Sequence, residues 1–187
     1  MRKCHLIKVD TSAIFVSDTH LSEDSPETIN KFINFLVNHA DKRDFLFILG
    51  DLFEYWIGDD VNQFDIVGKT LKGLKTKIFF IPGNRDFLIG NDFLKKTNIE
   101  SLEDPTLIQL GDKKAIVLHG DTLCSDDKDY QIYRSMVRSS EWQKEFLNQS
   151  IKDRLEICND LRKKSKEAQE SKSEILMDVN ESEVKKL

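Results

Sequence analysis

Four short apolar runs, each stopping against a polar cluster, constrain this chain more than any other feature of its sequence. Ala13–Val16 runs into Ser17-Asp18-Thr19-His20, and Phe45–Leu49 into Gly50-Asp51. Ile78–Ile81 runs into Pro82-Gly83-Asn84-Arg85-Asp86, and Ala115–Leu118 into His119-Gly120-Asp121. Uninterrupted apolar runs of this length predict strands buried on both faces, as in a parallel sheet covered by helices. Helical patterns alternate with them. Ser25-Pro26 offers an N-cap and a first-turn proline to a helix with Ile29, Phe32, Ile33 and Leu36 on one face. A second, weaker helix is predicted over Val61–Lys72. Strand–helix alternation predicts an α/β layered fold. Ligands gather beyond the carboxyl ends of strands in such sheets, and all four polar clusters lie there.

From about Thr122 the pattern changes. Tyr130–Arg138, Glu141–Asn148 and Ile151–Gln169 read as helices, and no further strand is convincing. The expected division is a core over residues 1–121, a helical lid or insertion over 122–180, and a return towards the core over 181–187. The last long helix turns basic, with Arg162, Lys163, Lys164, Lys166 and Lys172 against Glu167 and Glu170.

Composition narrows the function classes. At 187 residues, one domain or one domain with an insertion is expected. No apolar run approaches the ~20 residues of a membrane span, and no apolar signal core follows Met1–His5. Three widely spaced cysteines, Cys4, Cys124 and Cys158, fit reduced thiols in a cytoplasmic protein. The 28 Lys and Arg are outnumbered by 33 Asp and Glu, a net charge of −5 that argues against binding nucleic acid through bulk charge.

Asp18 and His20 stand two apart at a strand end, so persisting strand geometry would point both the same way. A carboxylate and an imidazole converging there form half of a transition-metal site, better suited to Mn, Fe or Zn than to Ca. Alone, that triplet reads more readily as a turn; Gly50-Asp51 is weaker still, and His119 alone is an ordinary packed or solvated histidine. Gly83-Asn84-Arg85-Asp86 is more specific, a tight turn presenting an amide oxygen and a guanidinium able to hold phosphate bidentately. Four such clusters in order, each at a strand end, point to a metal site.

In this order the blocks resemble those of the calcineurin-like metallophosphoesterases. The resemblance narrows to the UDP-2,3-diacylglucosamine pyrophosphohydrolases of lipid A biosynthesis. It is carried by Ser17–Ser22, Leu49–Glu54, Trp56–Asp60, Gly83–Gly90, Leu118–Cys124 with Asp126-Asp127, Lys164–Ala168 and Ile175–Asn180. It spans about residues 12 to 183 and implies a layered α/β sandwich with a helical lid. It also implies two metal ions, usually Mn2+: Asp18 and His20 on one, Asn84 and His119 on the other, Asp51 bridging. Water activated there would attack the α-phosphorus of UDP-2,3-diacylglucosamine, giving UMP and 2,3-diacylglucosamine 1-phosphate. Asp51, Asn84 and Arg85 would be the catalytic groups. Asn84, Arg85, Asp127, Ser165, Gln169 and Lys172 would contact substrate, although Gln169 departs from the Asn found in some members. The implied location is cytoplasmic, peripheral on the inner membrane. Tyr130, Tyr133, Phe146 and Leu147 would line an acyl groove, or else simply pack the lid.

The family's fifth block, G-H-x-H, is absent: the histidines are His5, His20, His39 and His119, and none follows Asn180. The expectation is fewer protein ligands per ion, weaker metal binding, and a weak or inactive enzyme. Two alternatives fit the same residues: a metallophosphoesterase acting on nucleotides or phosphoproteins, or a metal-poor scaffold on the same fold.

Overall fold

The computed structural model describes residues 6–172 and 178–187, apart from the side chains of Gln169 and Ser171. Cys4 and the Ile175–Met177 segment lie outside the described residues. The chain divides into two compact units, Met1–His119 and Gly120–Leu187.

The first unit is a layered α/β structure. Its elements run β1 (Ile7–Val9), β2 (Ala13–Val16), α1 (Pro26–Asn38), β3 (Phe45–Leu49), α2 (Asp65–Gly73), β4 (Lys77–Ile81), α3 (Asn91–Thr97), β5 (Ile99–Ser101), β6 (Thr106–Leu110) and β7 (Lys113–Val117). Strands β2, β3, β4 and β5 form one parallel sheet in sequence order. A second sheet has the order β1-β6-β7, parallel at β1–β6 and antiparallel across the β6–β7 hairpin.

The core between the sheets follows from strand alternation. Phe47 on β3 and Phe79 and Ile81 on β4 point one way, meeting Val9, Ile108 and Val117 of the second sheet. Register places Phe15 opposite Phe47 and Phe47 opposite Phe79. The rings stack at 4.8 Å and 5.0 Å, each pair worth about 0.5–1.5 kcal/mol beyond the area it buries. Leu46, Ile48, Ile78 and Phe80 point to the opposite face and are also buried. On the helical side, α1 lies beside α2 and α2 beside α3, burying Phe32, Leu36, Val67, Leu71 and Phe93.

Some expectations need correction. Strands β2 and β7 are not buried on both faces. Each is the edge of its sheet, so Phe15 is 40% exposed and Lys113 and Lys114 are open to solvent. The second helix starts at Asp65 rather than Val61, because Phe64 takes a left-handed conformation just before it. Ser25 precedes α1, but its side chain makes no capping bond; its carbonyl accepts from Thr28 N instead.

The second unit is helical: α4 (Lys128–Val137), α5 (Ser140–Leu147), α6 (Ile151–Ser171) and α7 (Glu181–Val184), with no strand among the described residues. Asp127 caps α4 and Ser139 caps α5 through their side-chain oxygens. Asp121 accepts from Tyr130 Oη at 2.8 Å and Arg134 Nε at 2.7 Å. Burial pushes the Asp121 carboxyl up, but these donors and Arg138 outweigh it and hold it below its ordinary range. Burial pushes the Tyr130 hydroxyl up. Tyr130 is thus tied to Asp121, and Phe146 is buried against Trp142 at 4.9 Å, so both serve the unit's own packing. Leu147 remains 41% exposed. Cys124 is a free thiol, and burial raises it above the ordinary thiol range. No helix among the described residues is long and apolar enough to cross a membrane.

Candidate metal centre

Parallel register brings three of the polar clusters level. Val16 pairs with Ile48 and Leu49 with Ile81, so the residues after β2, β3 and β4 emerge together. Strand geometry does not persist from Asp18 to His20. Asp18, His20 and Asp51 have φ of 53°, 44° and 52°, all left-handed. Backbone bonds between the loops fix this: Asp18 N to Gly50 O at 3.1 Å, His20 N to Asp51 O at 3.0 Å and Leu21 N to Leu52 O at 3.0 Å. The side chains converge because the two loops clasp each other.

The geometry around Asp51 is tight. Its side chain is only 5% exposed, and His20 Nε2 lies 3.7 Å from Oδ2 and 4.0 Å from Asp18 Oδ1. Ligand atoms of Asp18, His20 and Asp51 all lie within 4.8 Å of one another. On the other side, His119 Nε2 lies 3.8 Å from Asp51 Oδ1, while its Nδ1 lies 3.0 Å from the Leu49 carbonyl. One amide atom of Asn84 sits 2.6 and 3.0 Å from the two Asp51 oxygens and 3.4 Å from His119 Nε2. Nitrogen in that position donates to both oxygens; oxygen there would share a cation with them.

Two glycines make this packing possible. A Cβ at Gly83 would meet Asp51 Oδ1 at 2.1 Å, and one at Gly50, whose φ is +88°, would meet His119 Nδ1 at 2.4 Å. Gly50 is therefore required by close approach and by its left-handed backbone, and Gly83 by close approach.

Beneath the loops lies a second carboxylate. Asp86 is fully buried and accepts from Gly83 N at 2.8 Å and Leu52 N at 2.7 Å, joining the β3 loop to the β4 loop. Burial, then the charge of Asp51, pushes its carboxyl up to about 6. Burial also raises Asp51, against the pull of His119, the Arg85 N–H, His20 and the Arg85 charge. His20 is raised chiefly by Glu54, whose Oε2 lies 3.1 Å from Nδ1.

The residues beside this centre match a known family. The profile described as calcineurin-like phosphoesterase covers residues 12–173. The chain belongs to the calcineurin-like phosphoesterase family. It is similar to the UDP-2,3-diacylglucosamine hydrolases of Aromatoleum aromaticum, 43% identical over 90% of this chain and 71% of that protein, and of Haemophilus influenzae, 43% identical over 89% and 73%. That of Aliivibrio fischeri is 41% identical over 93% of this chain and 74% of its own length. Membership makes the chain a metal-dependent hydrolase, and the donor set fits that class. One carboxylate, two imidazoles and an amide converge around a buried, ionisable Asp51 whose charge a divalent cation would offset.

Sequence reasoning singled out Asp18, His20, Asp51, Asn84, Arg85 and His119, and the fold brings these six into one neighbourhood. Three supporting residues were missed. Glu54 meets His20, and Asp86 ties the loops. Asp59 accepts from Trp56 Nε1 at 3.0 Å and from Gly90, Asp92 and Phe93 N at 2.9 to 3.1 Å. An acidic residue closing the Gly83-Asn84-Arg85-Asp86 turn was the available signal for Asp86; Asp59 acts on residues more than 30 positions away, which no local pattern discloses. In the second unit, Asp127 and Lys172 pair with each other, Lys172 Nζ lying 2.7 Å from Asp127 Oδ2. Ser165 is half-buried on α6, and the Gln169 side chain lies outside the described residues.

Proposed function

We propose that this chain hydrolyses the pyrophosphate bond of UDP-2,3-diacylglucosamine, releasing UMP and 2,3-diacylglucosamine 1-phosphate in lipid A synthesis. One observation carries the reading: five candidate donor residues gathered at strand ends, in a chain 43% identical to a hydrolase of that name over 90% of its length. In this reading Asp18 and His20 would hold one Mn2+ and Asn84 and His119 a second, with Asp51 serving both. Bound divalent cations would supply Lewis acidity and lower the pKa of bound water towards neutrality.

The chain's own groups do the rest. Asp51, held by the Arg85 backbone N–H at 2.9 Å, keeps its oxygens directed at both sides of the centre. The Arg85 guanidinium offers a buried Nε with no hydrogen-bond partner among the described residues, a donor suited to a phosphate oxygen. Asn84 adds an amide donor or acceptor at the same edge. Asp127, Ser165, Gln169 and Lys172 of the second unit are proposed to recognise the substrate. Exposed Lys163, Lys164 and Lys166 would favour peripheral attachment to an anionic membrane surface on the cytoplasmic side.

The deciding experiment is Mn2+-dependent UMP release from UDP-2,3-diacylglucosamine, with Asp51→Ala as control. Release by the unmodified chain that is lost in the control supports both substrate and centre. Release unchanged in D51A, or hydrolysis of simple phosphodiesters in preference to this substrate, overturns the reading.

A further inference from the structure

His20 presents its two ring nitrogens to different surroundings. Nε2 faces Asp51 Oδ2 at 3.7 Å and Asp18 Oδ1 at 4.0 Å. Nδ1 is closed off from solvent and meets Glu54 Oε2 at 3.1 Å, in a contact bent from ideal hydrogen-bond alignment. A neutral imidazole carries one proton, and only the other nitrogen has a lone pair to give to a metal. Nε2 can be a ligand only when the proton is on Nδ1.

Glu54 is not there by chance of a flexible side chain. Its backbone N donates to Leu21 O at 2.9 Å, and Leu21 pairs with Phe53 in a parallel bridge. Leu21 follows His20 directly, so one short ladder between the β2 and β3 loops fixes both residues. The Glu54 side chain is only 21% exposed, which limits its alternatives in water.

We propose that Glu54 is a positioning residue whose carboxylate holds the His20 proton on Nδ1 and so keeps the Nε2 lone pair directed between Asp18 and Asp51. The proposal rests on the reading of His20 as a metal ligand. A carboxylate behind a ligating histidine fixes both tautomer and ring orientation, and its loss costs 10- to 100-fold in metal affinity as a rule. Glu54 need touch neither substrate nor metal to act.

The test uses the full chain, freed of metal by chelation, at pH 8.5, about two units above the ordinary imidazole pKa. Long-range 15N–1H correlation spectra report the tautomer of each of the four histidines, and His20→Asn assigns the His20 signals. The Nδ1–H form is expected to dominate in the unmodified chain and in Glu54→Gln, whose amide oxygen can still accept. In Glu54→Leu the population should move towards Nε2–H, and Mn2+ affinity by isothermal titration should fall about 10- to 100-fold. A His20 that is Nε2–H in the unmodified chain overturns the proposal, whether or not the variants fold. So does a tautomer or affinity unchanged in E54L. Unaltered Mn2+ affinity in H20N would overturn the ligand reading itself, and this proposal with it.

Discussion

Gly83 lies against Asp51 so closely that a β-carbon there would sit 2.1 Å from Oδ1 and 2.4 Å from the backbone nitrogen. Neither contact can be relieved by turning a flexible side chain, because Asp51 is held by Arg85 N and by its own left-handed backbone. Gly83→Ala should therefore displace Asp51, cost on the order of 3 kcal/mol or more in stability, and abolish metal binding. Urea unfolding and Mn2+ titration of the variant check both.

Asp86 makes stability depend on pH. Its folded-state carboxyl lies at about 6, above the ordinary 3.8. The folded state thus binds the proton more tightly than the unfolded state, and stability falls as pH rises from about 4 to about 6. One pH unit of displacement is worth roughly 1.4 kcal/mol, so the loss is on the order of 3 kcal/mol. Asp86→Asn should flatten this slope in chelator-treated protein. It should also be less stable at pH 4.5 by about 1–3 kcal/mol, since an amide nitrogen cannot accept from Gly83 or Leu52. Urea midpoints between pH 4 and 7 would show a steep line for the unmodified chain and a shallow one for the variant.

Asp59 substitutes for the missing side-chain cap of α3, since the helix begins after Gly90. Asp59→Ala leaves Trp56 Nε1 and three backbone N–H groups without their acceptor. The expected cost is about 2–3 kcal/mol, with metal affinity changed far less than in G83A. Thermal melting beside Mn2+ titration separates the two effects.

Asp127 both caps α4, through Tyr130 N at 3.1 Å, and pairs with Lys172. Asparagine caps as well as aspartate, so Asp127→Asn keeps the helix and removes only the charge pair. If these residues recognise substrate, D127N and Lys172→Met should each raise KM roughly tenfold, about 1.4 kcal/mol, with circular dichroism unchanged. A KM equal to that of the unmodified chain in both would assign the pair to packing alone.

Chelation should abolish hydrolysis and lower the melting temperature, with Mn2+ restoring both. At 100 times its dissociation constant a cation adds about 2.7 kcal/mol of stability. A melting temperature that is indifferent to Mn2+ would count against the centre.

The sheet was legible where four or five apolar residues run together, because such a run is driven out of water, fully in the central strands and on one face at the edges β2 and β7. Strands β3 and β4 answer to that description, and Ile48 and Phe80 are buried on the face opposite Phe47 and Phe79. Strands β1, β5 and β6 were not legible: Ile7–Val9 and Ile99–Ser101 are three residues each, and what makes them strands is pairing with β6 and β4. Helix α3 was missed for a related reason, since Asp59, some 30 residues upstream, satisfies its first N–H groups.

The candidate donors and their order were legible in the chain alone: Asp18, His20, Asp51, Asn84 and His119 each stand just after an apolar run. Residue chemistry and strand ends are local properties, so a single chain discloses them. Tertiary structure alone decided how the donors meet. Asp18 and His20 converge through left-handed backbones fixed by hydrogen bonds to Gly50 and Asp51, not through the strand alternation that the triplet predicts. His119 arrives from the other sheet into space that the missing β-carbon of Gly50 leaves open. Glu54 and Asp86 gain their roles only because the β2, β3 and β4 loops are brought into contact, and contacts across more than 30 residues leave no periodic trace in the chain.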